Sequence, residues 1–113
     1  AKYHDNRSQL LIPAPISAQM VEQVQRLAIK AYMAVDCAGM ARADFLLDKD
    51  SNELFLNEIN TIPGFTQISM YPKLWDASGI DYPTLVDRLI ELAIERKRDR
   101  DQTERVYHRD QQK

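Results

Sequence analysis

The stretch Phe55-Leu56-Asn57-Glu58-Ile59-Asn60-Thr61-Ile62-Pro63-Gly64-Phe65-Thr66 constrains this chain more than any other. It opens as a strand and closes in a turn. Asparagine and glutamate are poor strand formers, so Asn57, Glu58 and Asn60 among Phe55, Leu56 and Ile59 need a reason. Side chains two apart in a strand share a face, so Glu58 and Asn60 point the same way. Their carboxylate and amide oxygens are the ligand type that a hard divalent cation such as Mg2+ prefers.

A second pair at the same spacing, Arg42 and Asp44, lies upstream, and the turn formers Asp48-Lys49-Asp50-Ser51-Asn52 separate the two. The pattern predicts an antiparallel hairpin over residues 40–48 and 53–60. Pairing centred on Ser51 sets Asp44 opposite Glu58 and Arg42 opposite Asn60, with opposed Cβ atoms about 5 Å apart. A one-residue slip would change that register, and sequence alone does not fix it. On spacing alone two readings stand level. One is a solvated face with an incidental salt bridge, worth under about 1 kcal/mol. The other is a site where Mg2+ and a polyphosphate lie among the polar groups. The opposite face carries Ala41, Ala43, Phe45 and Leu47, then Phe55 and Ile59; Asn57 breaks it without explanation.

Helices frame the hairpin. Ser17 is a good N-cap for an amphipathic helix over residues 17–37, with Val24, Leu27, Ala28, Ala31 and Tyr32 on one side and Gly39 as its terminator. Tyr71-Pro72-Lys73-Leu74-Trp75 opens a short helix ending near Gly79, with Trp75 packed rather than exposed. Asp81 caps a last helix with Pro83 in its first turn, and a capping box from Thr84 to Asp87 is an alternative start. Its stripe of Leu85, Val86, Leu89, Ile90, Leu92 and Ile94 suits burial against the hairpin. Residues 96–113 are a dense mixture of charges, read as an exposed helical extension or a disordered tail. Upstream, Pro13 and Pro15 keep residues 1–16 irregular.

Composition excludes more than it suggests. A net charge of −2 over 113 residues gives no footprint for nucleic acid. Apolar runs fall far short of the ~20 residues that span a bilayer, so no membrane is implied. Cys37 is the single cysteine, which rules out an internal disulfide framework and fits the cytoplasm; with no histidine beside it, it reads as a small buried residue. The chain opens Ala1-Lys2-Tyr3 without an initiator methionine, and its three glycines form no phosphate-cradling loop.

Arg42-x-Asp44, then Asn57-Glu58-x-Asn60-Thr61-x-Pro63-Gly64-Phe65-Thr66, then Ser69 and Pro72 resemble the C-terminal catalytic region of D-alanine–D-alanine ligases, which are ATP-grasp enzymes. The resemblance runs from Lys2 to about Ala93. It implies an α+β fold, the C-terminal part of an ATP-grasp domain, with an antiparallel hairpin packed against α-helices. The implied activity joins two D-alanines at the expense of ATP through an acyl phosphate, for peptidoglycan synthesis.

The resemblance also implies roles. Asp44 and Glu58 would hold one Mg2+, and Glu58 and Asn60 a second, with Mn2+ a possible substitute. Arg42 would stabilise the transferring phosphate, and the Gly64 N–H would face the developing oxyanion. Ser69 and the Met70 N–H would bind the carboxylate of the second D-alanine. Lys2 would contact ATP phosphates and Tyr3 would help close a mobile loop. The organisation expected is a loop segment over 1–16, a catalytic subdomain over 17–95 and a tail over 96–113. Upstream domains of the same enzyme would complete the site, in a homodimer. Two alternatives stand beside this reading: another ATP-grasp carboxylate–amine ligase, and a non-catalytic binding module with a solvated acidic face.

Overall fold

A computed structural model describes the backbone of residues 9–111 and side chains through residue 104. In chain order the elements are α1 (Ala18–Ala34), β1 (Arg42–Leu47), β2 (Leu54–Asn60), α2 (Met70–Ala77) and α3 (Tyr82–Gln111). The architecture is α+β: one two-stranded antiparallel sheet among helices.

Helix α1 starts where the sequence says. The Ser17 hydroxyl accepts a hydrogen bond from the Met20 N–H at 3.1 Å. Its end differs from expectation. Asp36 takes the left-handed conformation, φ 55°, its N–H reaching the Met33 carbonyl while the Cys37 N–H reaches Tyr32. That pair of bonds is a Schellman motif with aspartate in the place glycine usually fills. Gly39 lies beyond it, where its carbonyl accepts from the Tyr32 hydroxyl at 3.0 Å. Cys37 is half-buried.

The turn between the strands is built by Asp48. Its Oδ1 accepts from the Asp50 and Ser51 N–H groups at 2.8 and 3.3 Å, and these bonds lower the Asp48 pKa. Asn52 supplies the left-handed residue, φ 58°, that lets the chain turn back.

The hairpin register is Arg42 with Asn60, Ala43 with Ile59 and Asp44 with Glu58, as pairing centred on Ser51 requires. Beyond Asp44 the register shifts by one, to Phe45 with Leu56, Leu46 with Phe55 and Leu47 with Leu54. Asn57 is therefore the extra residue of a β-bulge, which explains its break in the alternation. The shift also corrects the expected faces. Leu54 and Leu56, not Phe55, join Ile59 in the row shared with Ala43, Phe45 and Leu47. Phe55 stands opposite Leu46 on the face of Asp44 and Glu58, and both are more than half exposed.

Helix α1 packs on both strands, and α3 packs chiefly on α2 rather than on the hairpin. Ile90, Leu92 and Ile94 of α3 accordingly stay about half exposed. The core is small: Pro63, Tyr71, Pro72 and Leu85 are the buried positions among the described residues. The chain exposes 9795 Å2. A compact monomer of this mass would expose about 6,400 Å2. Wide apolar faces are open, including Ile29 and Met33 on α1.

Candidate functional site

The site grows from the end of the hairpin nearest α2. Because the bulge lies beyond them, Asp44 and Glu58 face each other as direct partners, with Asn60 two residues on. Arg42 folds along its own strand. Its Nε donates to Asp44 Oδ1 at 2.9 Å and its Nη2 to Asp44 Oδ2 at 3.0 Å. The same Nη2 lies 3.7 Å from Glu58 Oε1 across the sheet. One guanidinium thus bridges both carboxylates. Arg42 and Asp44 are partly shielded, whereas the Glu58 side chain is 56% exposed.

The donor set fits a hard cation. Two carboxylates and an amide oxygen stand at one sheet end, and the carboxylates already share a cationic partner. Among the described residues no three His, Cys, Asp or Glu side chains gather into a metal cluster. Mg2+ is usually held by one or two carboxylates and completes its shell with water and substrate phosphates.

Asn60 links this end of the sheet to the turn that follows. Its Oδ1 accepts from the Ile62 N–H at 3.0 Å, an Asx-turn that starts the reversal at the last strand residue. Pro63 is buried. Phe65 then anchors the loop, its ring 5.9 Å from Tyr71 and 5.3 Å from Tyr82, while the Tyr82 hydroxyl donates to the Phe65 carbonyl at 3.2 Å. Burial raises the Tyr71 pKa. Trp75 meets Tyr71 edge-on yet stays 39% exposed, more open than the expected packed position.

Gly64 and Ser69 come together across this loop. A Cβ added at Gly64 would meet Ser69 Oγ at 3.2 Å, so glycine is what lets the two approach. Ser69 is the N-cap residue of α2, but its hydroxyl does not cap the helix. It turns back instead, accepting from the Thr66 N–H at 3.0 Å and lying 2.7 Å from Thr66 Oγ1. Met70 is the first residue of α2, where N–H groups have no acceptor within the helix.

Of the residues singled out in the sequence, Arg42, Asp44, Glu58 and Asn60 share one sheet end, and Gly64, Ser69 and Met70 share the next loop. Lys2 and Tyr3 lie outside the described residues. The sequence motif includes Phe65 and Thr66 but gives neither a role, and Tyr82 was not singled out. The Thr-x-x-Ser spacing is a signal for the pairing of Thr66 with Ser69; nothing local marks Tyr82.

The model of a family described as D-ala D-ala ligase C-terminus matches residues 1–91. This chain belongs to that family. The D-alanine–D-alanine ligase of Clostridium acetobutylicum is 59% identical over 96 residues, 85% of this chain and 28% of that protein. Among solved structures, the D-alanine–D-alanine ligase from Coxiella burnetii superposes with a TM-score of 0.85 at 47% identity, covering 88% of this chain and 28% of that one. The Bacillus anthracis D-alanine–D-alanine ligase complexed with ATP gives 0.70 at 32% identity, covering 76% and 30%. The chain therefore spans less than a third of the ligases it matches, and the match shows the fold to be that of their C-terminal part.

Proposed function

We propose that this chain is the C-terminal catalytic part of an ATP-dependent enzyme that joins two D-alanines through an acyl phosphate, supplying peptidoglycan synthesis. The observation that carries the reading is the direct opposition of Asp44 and Glu58, with Asn60 beside them and the Gly64–Ser69 contact one loop away. A phosphate-handling end and a carboxylate-handling end then lie next to each other along ten residues of chain, from Asn60 to Ser69.

At the first end, Asp44 and Glu58 would hold one Mg2+ and Glu58 and Asn60 the second, with Mn2+ as a substitute. When bound, such ions neutralise charge on phosphate oxygens during transfer. Arg42, hydrogen-bonded to Asp44 through Nε and Nη2, would bring its guanidinium charge to the transferring group. At the second end, the Gly64 N–H faces the oxyanion formed when the amine attacks. The Ser69 hydroxyl and the Met70 N–H bind the carboxylate of the second D-alanine, a natural role for the start of a helix. Lys2 on the ATP phosphates and Tyr3 in loop closure complete the assignment from the sequence. Upstream domains of the same enzyme, a homodimer, supply the nucleotide pocket, so the 113-residue chain alone has little or no ligase activity.

The test uses the full-length enzyme that contains this chain. Phosphate release from ATP is followed with D-alanine, D-lactate and L-alanine, for wild type and Glu58→Gln across a Mg2+ series. We expect release that requires D-alanine, and a Glu58→Gln variant that is slow and needs far more Mg2+. Release with a different acceptor alone keeps an ATP-grasp ligase and removes D-alanine. Absence of turnover with every acceptor leaves a binding module.

A further inference from the structure

We infer that Thr66 is a positioning residue for the acceptor subsite, setting the hydroxyl proton of Ser69 so that it points at a carboxylate. This rests on the reading of Ser69 as a ligand of the second D-alanine, and it concerns a residue to which that reading gives no part.

The argument is a count of donors and acceptors. A serine hydroxyl has one proton and two acceptor lone pairs. One lone pair of Ser69 takes the Thr66 N–H at 3.0 Å. The Thr66 hydroxyl lies 2.7 Å away, and either oxygen of that pair can donate. If Ser69 donates to Thr66, its only proton is spent inside the loop and none is left for a ligand. If Thr66 donates, both lone pairs of Ser69 are filled and its proton must point outward. A carboxylate accepts and cannot donate, so it selects the second arrangement. Thr66 to Ser69 to carboxylate then forms a chain of hydrogen bonds all running the same way, each polarising the next.

Geometry supports the assignment. The Thr66 N–H and hydroxyl hold the Ser69 side chain by two bonds, and a Cβ placed on Gly64 would come within 3.2 Å of its Oγ. The Ser69 N–H is also tied to the Thr66 carbonyl at 3.0 Å. The loop therefore fixes where the hydroxyl sits, and Thr66, when it donates, leaves the Ser69 proton to face outward.

The experiment is a saturation series in D-alanine on the full-length enzyme, resolved into donor and acceptor sites, for wild type, Thr66→Val, Thr66→Ser, Ser69→Ala and the Thr66→Val/Ser69→Ala pair. Valine keeps the shape of threonine and removes its hydroxyl. Thr66→Val should raise the acceptor KM roughly tenfold, the worth of one hydrogen bond in a charged chain, with donor KM and KM for ATP unchanged. Thr66→Ser should restore it, and Thr66→Val should add nothing in the Ser69→Ala background, since Thr66 acts only through Ser69. Should Thr66→Val fail to fold, Thr66→Ala carries the same comparison. An unchanged acceptor KM, or equal losses at every site, overturns the role of Thr66 while wild-type turnover with D-alanine leaves the ligase reading intact. A wild type without such turnover removes both.

Discussion

Arg42 and Asp44, two residues apart on β1, are joined by a fork of two hydrogen bonds, Nε to Oδ1 at 2.9 Å and Nη2 to Oδ2 at 3.0 Å. The pair shares one strand face, and the second partner of the guanidinium is Glu58, at 3.7 Å on the facing strand. A lysine at position 42 would keep the charge but not the planar fork. In the full-length enzyme, Arg42→Lys should lower kcat about a hundredfold, the scale of losing one charge-stabilising donor, while the Mg2+ requirement stays near that of wild type. Steady-state phosphate release across a Mg2+ series checks this. A near-normal rate would remove Arg42 from the chemistry.

The bulge at Asn57 gives a second prediction. Deleting Asn57 leaves Leu56 and Glu58 as neighbours on opposite faces, so the alternation becomes regular and no side chain changes side. What goes is the local bend that aims Glu58 and Asn60. The deletion variant should keep its circular dichroism spectrum and lose most of its response to Mg2+, whereas Asn57→Ala should behave nearly as wild type. A deletion variant with normal Mg2+ dependence would show that the bulge is not needed to aim the ligands.

Gly64 lies close enough to Ser69 that a methyl group is felt. Its backbone is not left-handed, so alanine meets no conformational strain there, only Ser69 Oγ at 3.2 Å. Gly64→Ala should fold normally, by thermal melting, and show a raised acceptor KM because Ser69 must yield. An unaltered KM would mean that the loop relaxes without cost.

Asp81 makes the start of α3 sensitive to acid. Its Oδ1 accepts from the Thr84 N–H at 3.0 Å, and hydrogen bonding by Thr84 holds its pKa below the ordinary 3.8. A carboxyl whose pKa is lower folded than unfolded stabilises the fold above its unfolded value and loses that contribution as pH falls through the folded one. Protection of the amides over the first turn of α3, relative to their intrinsic exchange rates, should therefore fall below about pH 4 in wild type. In Asp81→Asn it should not depend on pH in this way. Matching profiles for the two proteins would exclude the cap.

Much of this fold was legible because the constraining residues are few and chemically distinct. The pairing centred on Ser51, one of the registers the sequence allowed, holds at the site end of the hairpin, and Ser17 and Asp81 marked their helix starts. The turn end was not legible, because Leu54, Phe55 and Leu56 are three apolar residues in a row and either phase satisfies alternation. A bulge there leaves no mark in a period-two pattern. The end of α1 was misread because Asp36, at φ 55°, supplies the left-handed residue that ends the helix, while Gly39, also left-handed at φ 72°, lies three residues further on. Likewise an apolar stripe on α3 says that a face favours cover, not which element covers it; that depended on the Phe65, Tyr71 and Tyr82 rings, which belong to three separate segments. The candidate residues could be named one by one from the sequence, but the Thr66–Ser69 pairing became visible only once the loop was closed.

The open surface of 9795 Å2 has a thermodynamic consequence. The heat capacity of unfolding and the slope against denaturant both grow with the area newly exposed when a chain unfolds. A chain that hides so little has little left to expose. Taken alone it should lose structure gradually over a wide span of temperature or urea. The sharpness of its melting is then conferred from outside, by whatever comes to lie on Ile29, Met33, Leu46 and Phe55.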